Sequence, residues 1–164
     1  MNRVCIIKRL LGKFDEAESA IQRAVDGARV YFSGQGFYPW TLENLALLRE
    51  AEAKTEDAES KYAEAVAEYE KVCGFPSYET AEALYHQSGC LLRMGKLTPA
   101  ETAIRRAISV MDKIDNLSDC EKSDYLSTLA LILEATGHNS ESTEMRNRAE
   151  HLFEQAKRQN ESEG

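Results

Sequence analysis

The sequence predicts an all-α protein, a solenoid of about four antiparallel helix pairs. Ala, Leu, Glu, Lys and Arg are abundant, and only three prolines and nine glycines interrupt the chain, which favours helix throughout. A short phrase also recurs at a nearly constant interval, which is typical of stacked repeats. The 164 residues are enough for one domain with a hydrophobic core.

The recurring phrase centres on a small residue. Its copies read "GKFDEAES", "AKTEDAES" and "GKLTPAET", with a divergent fourth copy, "GHNSESTE". The central positions lie 41, 42 and 42 residues apart at Ala17, Ala58, Ala100 and Ser142. A unit near 40 residues cannot bury its own apolar face, so neighbouring units must stack on one another.

Further positions recur with the phrase. Seven residues after the central position, every copy has an alanine: Ala24, Ala65, Ala107 and Ala149. Twelve residues before it, every copy has a small residue: Cys5, Ala46, Ser88 and Ala130. Four residues earlier again, three copies have a leucine: Leu42, Leu84 and Leu126. This pattern predicts paired helices whose backbones approach at the small residues, while larger side chains fill the space between pairs.

The turn chemistry supports the same helix pairs. The first helix of a pair should end in a left-handed residue at Gly12, Gly95 and Gly137. The next helix should begin with a capping box in "DEAE" and "TPAE", capped by Asp15 and Thr98, with Pro99 at the first helical position. A further capping box is predicted from Ser118 to Glu121.

These signals divide the chain into helices and repeats. Helices are expected over about 2–11, 15–32, 40–52, 56–72, 78–93, 99–114, 119–136 and 141–157. We expect a single repeat domain over 1–158, with repeats at about 1–36, 37–75, 76–117 and 118–158. Residues 159–164 should form a frayed tail.

Charge and cysteine usage exclude several classes of protein. The net charge of −8 argues against a nucleic-acid or anionic-membrane surface, which needs clustered Lys and Arg. No run approaches the ~20 apolar residues that cross a bilayer, and the N-terminus does not read as a signal peptide. The four cysteines are scattered, which predicts reduced thiols and a cytoplasmic protein.

No motif points to catalysis, a cofactor or a metal. His86 and Cys90 have the spacing of two metal ligands on one helix, but no second pair completes a site. No cysteine or serine stands beside a positioned histidine, and "SGQGF" lacks the lysine of a phosphate-binding loop. The sequence therefore predicts a protein that is not an enzyme.

The recurring positions resemble the tetratricopeptide repeat, in the long variety of roughly 42 residues found in kinesin light chain. The resemblance covers almost the whole chain and implies a right-handed superhelix. One departure is that Arg49, Leu91 and Leu133 stand where the family usually has an aromatic residue. Another is Arg146, where other copies have Ile21, Tyr62 and Ile104, which suits a terminal pair facing water. Because Met1 falls on the first leucine position, we expect further repeats upstream.

The resemblance implies a non-enzymatic interaction module whose first helices line a concave groove for a peptide or protein partner. The residues expected to face this groove are Trp40, Glu43, Leu47, Glu50, Glu82, Tyr85, His86, Arg93, Asp124, Ser127, Leu131 and Glu134. This set is acidic and aromatic, so we expect a partner with basic and apolar side chains. The same acids would also suit a solvated helix face.

Two alternatives remain open from the sequence. The chain could be a structural segment that associates with itself through its terminal repeats. It could also be the sensor or adaptor part of a larger protein, such as a signalling NTPase.

Overall fold

The computed structural model describes residues 14–32, 34–74, 76–114 and 117–162. Seven α-helices account for most of these residues. They are α1 (Phe14–Tyr31), α2 (Phe37–Ala51), α3 (Thr55–Val72), α4 (Tyr78–Arg93), α5 (Leu97–Met111), α6 (Asp119–Ala135) and α7 (Asn139–Ser162). The described residues include no β-strand, so the predicted all-α class is confirmed. The helix predicted over 2–11 lies outside them. No described helix combines the length and hydropathy needed to cross a membrane.

The helices group into two units. Unit 1, Met1–Phe75, contains α1 to α3, and α2 packs against both of its neighbours. Unit 2, Pro76–Gly164, contains α4 to α7, in which each helix packs on the next and α4 also touches α6. The single repeat domain over 1–158 and its four repeat bounds remain predictions.

The small residues of the repeat lie where helices pack most closely. The first-helix positions Ala46, Ser88 and Ala130 are buried, as are the central positions Ala58, Ala100 and Ser142. In α6 and α7 these two positions meet directly, since Ser142 Oγ donates a hydrogen bond to the carbonyl oxygen of Ala130 at 2.8 Å. The pattern of small residues therefore marks the close approach of each helix pair.

Larger side chains of the repeat fill the space around these approaches. The recurring leucines Leu42, Leu84 and Leu126 are buried. The later alanines Ala65, Ala107 and Ala149 are buried as well, whereas Ala24, the aligned alanine on α1, is exposed. Tyr62 and Ile104, at one position of successive copies, have no exposed surface. Burial of such apolar surface is the main favourable contribution to the folding of each unit.

The joints between paired helices adopt the left-handed conformation that the glycines predict. Gly95 has φ +72° and Gly137 has φ +82°. In the second copy Ala53 occupies the same aligned place, and it too has a positive φ, of 60°. The joint therefore imposes its backbone conformation even where the residue carries a Cβ atom, at a cost of about 1–2 kcal/mol.

The predicted helix starts are correct at α6 and wrong at α5. Ser118 and Glu121 form a complete capping box, as expected. The second helix of the next pair begins at Leu97 instead of after Thr98, and its cap position, Lys96, makes no side-chain capping bond. The predicted cap at Asp15 falls where the side chain is not described.

Both α2 and α5 begin earlier than predicted, at Phe37 instead of about 40 and at Leu97 instead of about 99, and the two errors have a common cause. Pro99 lies at the third position of α5 and Pro39 at the third position of α2, not at or before the first. The first amide groups of a helix have no partner within it, so a proline there costs no hydrogen bond. A proline therefore indicates that a helix begins nearby but does not identify its first residue.

Arg49 replaces an aromatic residue with a set of ion pairs inside unit 1. Its guanidinium lies 2.6 Å from Glu18, 2.8 Å from Glu52 and 2.7 Å from Asp57. These carboxylates come from α1, from the end of α2 and from the first turn of α3. One side chain therefore connects the three helices where the family would use a ring.

Candidate functional site

The first helices of the two pairs in unit 2 touch one another directly. The ring of Tyr85 on α4 stacks on that of Tyr125 on α6, with centroids 4.8 Å apart and planes inclined by 17°. Toward the start of the same helices, the Tyr78 hydroxyl donates a hydrogen bond to Glu121 Oε1 at 2.9 Å. The two contacts hold the helices side by side.

These contacts bring together several residues that the sequence assigns to the groove. On α4 they lie three and four residues apart, which places them on one side of the helix. On α6 they also recur at helical spacing. We call the surface they form the α4–α6 face; it consists of Glu82, Tyr85, His86, Asp124, Ser127 and Leu131, all half-buried or exposed.

Asp124 carries a negative charge that the described residues leave without an opposite charge. Partial burial raises the pKa of its carboxyl group, and the neighbouring carboxylate of Glu121 raises it further. No cation pairs with it among the residues of known placement. Asp124 is nevertheless exposed, so water screens much of this repulsion.

The hydroxyl group of Tyr85 lies near Asp124. Burial raises the pKa of its hydroxyl, and the charge of Asp124 adds to the effect. Hydrogen bonding with Thr128 and the charge of Arg93 act in the opposite direction. Thr128 in turn donates a hydrogen bond to the backbone oxygen of Asp124 at 3.0 Å. The Tyr85 hydroxyl thus lies near the turn of α6 that contains Asp124.

Tyr125 is the most deeply buried polar side chain of this cluster. Only 4% of the residue is exposed. Burial raises the pKa of its hydroxyl, and the charge of Glu82 and the groups of Tyr78 and Glu121 raise it further. The hydroxyl therefore stays protonated and lies among carboxylates of both helices.

The remaining residues of the α4–α6 face differ in character. His86 lies next to Tyr85, with ring centroids 5.4 Å apart, and its Nε2 is 3.8 Å from Glu82 Oε1. Leu131 is 55% exposed and projects from α6 on the same side as Asp124 and Ser127. An acidic and aromatic surface with one projecting aliphatic side chain can contact a basic and apolar segment.

Two further predicted residues of unit 2 are exposed at the ends of their helices. Arg93 is the last residue of α4, and its Nη1 lies close to Gly89, since a Cβ atom added there would be 3.5 Å away. Glu134 pairs with Arg146 on α7. Glu134 therefore already has a cationic partner within the unit.

The predicted residues of unit 1 divide into exposed and buried positions. Trp40 is 42% exposed and stacks on Phe37, which in turn meets Phe32 edge to face. Glu43 and Leu47 are buried, and Glu43 accepts a hydrogen bond from the Tyr69 hydroxyl at 3.3 Å. Glu50, half-buried, accepts one from the Tyr62 hydroxyl at 3.2 Å.

The sequence analysis did not identify every residue of the α4–α6 face or of the exposed aromatic cluster in unit 1. Tyr125 and Thr128 were missed because they lie between the residues expected to face the groove. The available signal for Tyr125 was its separation from Tyr85, 40 residues, which nearly equals the repeat length. This separation places the two tyrosines at similar points of successive first helices. Phe32 and Phe37 had a weaker signal, because both lie in an aromatic-rich connection.

The fold and these contacts define a helical-repeat protein. Residues 1–71 match the family model described as the tetratricopeptide repeat. The similar solved structures are repeat proteins of the kinesin-light-chain type, which confirms the resemblance read from the sequence. Such repeats are generally protein–protein interaction modules, and their fold is typically non-catalytic.

Three solved structures show how far the likeness extends. BtubC (BKLC) from P. vanneervenii is 18% identical, with a TM-score of 0.81, over 87% of this chain and 57% of that one. The nearly identical TPR-like repeats of a Podosopora anserina kinesin light chain are 16% identical, with a TM-score of 0.72, over 96% and 75%. A second crystal structure of those repeats, with one residue substituted, is 15% identical to this chain, with a TM-score of 0.74. The match covers 95% of this chain and 75% of that one. At these identities the likeness concerns the fold alone.

The chain spans little more than half the length of BtubC. No curated protein matches the sequence significantly.

Proposed function

We propose that the protein is a non-enzymatic interaction module that binds an extended or helical peptide of a partner protein on the α4–α6 face. The observation that carries this proposal is the exposed Leu131, on the same surface as the Tyr85 ring and the Asp124 carboxylate. Apolar and aromatic anchors supply burial, and the acids attract a basic partner. The general role of tetratricopeptide repeats in binding proteins supports it.

The α4–α6 face has the rigidity that such binding needs. Its two helices are held by the tyrosine stack and by the bond from Tyr78 to Glu121. A surface that is already ordered before binding loses little conformational entropy when a peptide docks. Arg93 and Glu134 of unit 2 are proposed as further contacts of this peptide. In unit 1, taken by itself, the exposed Trp40 and the half-buried Glu50 are proposed to face a partner. Glu43 and Leu47 stay predictions from the sequence, and both are buried.

A selection from a random peptide library against the full chain tests the proposal. We expect enrichment of peptides that combine Lys or Arg with apolar residues. Leu131→Ala should weaken an enriched peptide by about fivefold or more, the effect of losing a binding anchor worth over ~1 kcal/mol. Phe153→Ala is the matched control, since Phe153 on α7 is 54% exposed and lies outside the face.

Two outcomes would count against the proposal. One is a library that yields no enriched peptide. The other is equal weakening by Leu131→Ala and Phe153→Ala, since a specific site on α4 and α6 predicts an effect from the first alone.

Self-association is a second candidate function, favoured by one observation in unit 1. Val30 and Tyr31 are 70% and 77% exposed, and the neighbouring stack of Phe32, Phe37 and Trp40 is also exposed. Exposed apolar clusters of this kind often mark protein interfaces. Light scattering over a range of concentrations decides the matter: a strictly monomeric chain would reject this function. The role of an adaptor in a larger signalling NTPase stays a prediction.

A cytoplasmic location is also proposed on the basis of the sequence alone. The scattered cysteines that suggested it include Cys73 and Cys120, which are exposed and not joined in a disulfide. Exposed thiols are ordinary in a reducing compartment.

A further inference from the structure

We propose that α7 pairs with α7 of a second copy of this chain, antiparallel and about a two-fold axis beside Phe153. The surface that pairs is a row of exposed residues, which we call the α7 stripe: Arg146, Glu150, Phe153, Lys157 and Glu161. These residues recur three or four positions apart, which places them on one side of the helix. The α7 stripe lies outside the α4–α6 face, so this inference is independent of peptide binding. It gives self-association a surface other than the aromatic cluster of unit 1.

The α7 stripe occupies positions that are buried on the corresponding helix of the preceding repeat. Ile104 and Met111 lie on α5, which packs against both α4 and α6, and they are 0% and 4% exposed. The aligned residues of α7, 42 positions later, are Arg146 and Phe153. Arg146 is exposed, and Phe153 is 54% exposed. A large aromatic ring therefore projects from the side of α7 that corresponds to a helix-covered side of α5.

The charges of the α7 stripe make it complementary to itself when it is reversed. A cation and then an anion precede Phe153, and a cation and then an anion follow it. In an antiparallel pair Arg146 faces Glu161 of the second copy, and Glu150 faces Lys157 of the second copy. Both pairs have the same midpoint in the chain, next to Phe153, so one register satisfies them together. Each ion pair then forms twice, because a two-fold interface uses the same surface on both subunits.

The same charges disfavour a parallel arrangement. A parallel pair would place each charged residue of the stripe opposite its own copy, so that like charges face one another. Exposed ion pairs contribute little affinity by themselves. The two Phe153 rings, which meet at the axis, therefore supply most of the attraction, and the charges determine orientation and register.

The charged groups of the α7 stripe are available for these contacts. Glu150, Lys157 and Glu161 form no ion pair with any residue that the structure describes. Arg146 pairs with Glu134 on α6, but its side chain is 48% exposed. A guanidinium has several N–H donors and can bind a second carboxylate without losing the first.

Sedimentation equilibrium of the full chain tests the inference. One side of a single helix is a small interface, so we expect a monomer–dimer equilibrium with a Kd of about 1–100 μM. Because the paired charges are exposed, raising NaCl from about 50 mM to about 500 mM should weaken the dimer by about threefold or more.

One pair of variants locates the interface. Phe153→Ala should weaken the dimer by about tenfold or more, because it removes the aromatic anchor. Tyr31→Ala is the matched control, since Tyr31 on α1 is 77% exposed and belongs to unit 1. It should leave the dimer unchanged.

A charge exchange tests the antiparallel register. Glu150→Lys should weaken the dimer by about tenfold, because it places two cations opposite each other at both ends of the pair. Adding Lys157→Glu to the same chain restores opposite charges and should return the Kd to within about twofold of the wild type. Glu144→Lys is the control, because Glu144 is exposed on another side of α7 and the change in net charge is the same. Circular dichroism and the melting temperature show that each variant is folded.

Three results would overturn the inference. The first is a chain that stays monomeric at every concentration, which would leave the α7 stripe to a different helical segment. The second is a dimer that Tyr31→Ala disrupts and Phe153→Ala does not, which would place the interface in unit 1. The third is a dimer that Glu150→Lys does not weaken or that the double exchange does not restore. The peptide-binding proposal fails separately, through the library selection, in which Phe153→Ala should have no effect.

Discussion

The hydroxyl of Ser142 on α7 donates a hydrogen bond to the carbonyl oxygen of Ala130 on α6, across 2.8 Å. The two residues are twelve apart in the chain and occupy the two small-residue positions of the repeat. The aligned pairs of other copies, Ala46 with Ala58 and Ser88 with Ala100, are also buried. The contact explains why serine is tolerated at the central position of the divergent copy: the Oγ atom that serine adds relative to alanine is hydrogen-bonded.

Enlarging this position should disrupt the last helix pair. Ser142→Leu places a large side chain where two backbones approach, and we expect the free energy of unfolding to fall by about 1–3 kcal/mol. Ser142→Ala loses only one hydrogen bond, at about 0.5–1.5 kcal/mol, and gains helix propensity in return. Ser140→Leu, at an exposed position of the same helix, is the control. Urea denaturation that gave equal losses for both leucine variants would reject the close approach.

The joint of the second helix pair should be improved by glycine. Ala53 has φ 60°, where glycine is free of strain, so Ala53→Gly should raise stability by about 1 kcal/mol. The reverse change, Gly95→Ala, should lower it by a similar amount. A Cβ atom at Gly95 would meet no atom within 4 Å, so the cost would come from the backbone alone.

An exposed alanine in the middle of α3 provides the control for this pair of changes. Ala63→Gly should destabilise the protein by about 0.5–1 kcal/mol, because glycine weakens a helix interior. Thermal unfolding of the three variants checks the signs. Destabilisation by Ala53→Gly would show that the joint does not require the left-handed conformation.

Removal of the Arg49 ion pairs should loosen unit 1. The side chain is only 12% exposed and faces three carboxylates, so Arg49→Met leaves these negative charges together without their cation. We expect a loss of about 1–3 kcal/mol, below the range for fully buried pairs because Glu18 and Asp57 are partly exposed. Lys71→Met removes an exposed pair with Glu68 and should cost at most about 0.5 kcal/mol.

The contribution of Arg49 should also depend on pH. Burial of Glu52 opposes its ionisation, but hydrogen bonds and charge from Arg49 and Lys54 outweigh burial and lower its pKa below 4.5. A lowered pKa in the folded state stabilises the protein above the unfolded value and loses its effect as pH falls through the folded value. The difference between wild type and Arg49→Met should therefore shrink below about pH 4.5. A difference that grew in acid would contradict the ion-pair assignment.

Asp124 should show the opposite dependence. Burial and Glu121 raise its pKa above the ordinary 3.8, so the folded protein holds this proton more tightly than the unfolded chain does. Its ionisation therefore costs stability as pH rises through the folded pKa. Asp124→Asn should stabilise the protein at pH 7 by about 0.2–0.5 kcal/mol, the size of a like-charge repulsion on a helix, and should change little at pH 3. Lower stability of the variant at pH 7 would show that the carboxylate is structurally satisfied.

Most of the fold follows from the repeat. The 42-residue interval and the small residues predicted the helix pairs and their close approaches, and the glycines predicted the left-handed joints. The starts of α2 and α5 were less accessible, because a proline tolerates any of the first helical positions. Ala53 could be found only by alignment with Gly95 and Gly137, since its own side chain argues against a positive φ.

The candidate site could be predicted only in part. The resemblance to the tetratricopeptide repeat implied the surface that contains Tyr85, Asp124 and Leu131. The sequence did not predict that Glu43 and Leu47 are buried. Whether a given side of a helix is exposed or buried depends on which other elements pack against it, and the pattern of one helix does not contain that information. The stack of Tyr85 on Tyr125 depends on the rotation of two helices about their axes, which no single helix pattern encodes.

The most direct test of the central claim is a titration of a library-selected peptide into isotope-labelled protein, followed by backbone amide NMR. The account predicts that the largest shifts lie on α4 and α6, around Tyr85, Asp124 and Leu131, and that Leu131→Ala reduces the affinity by about fivefold or more. Shifts confined to α5, α7 or unit 1, with unchanged affinity in the variant, would contradict it.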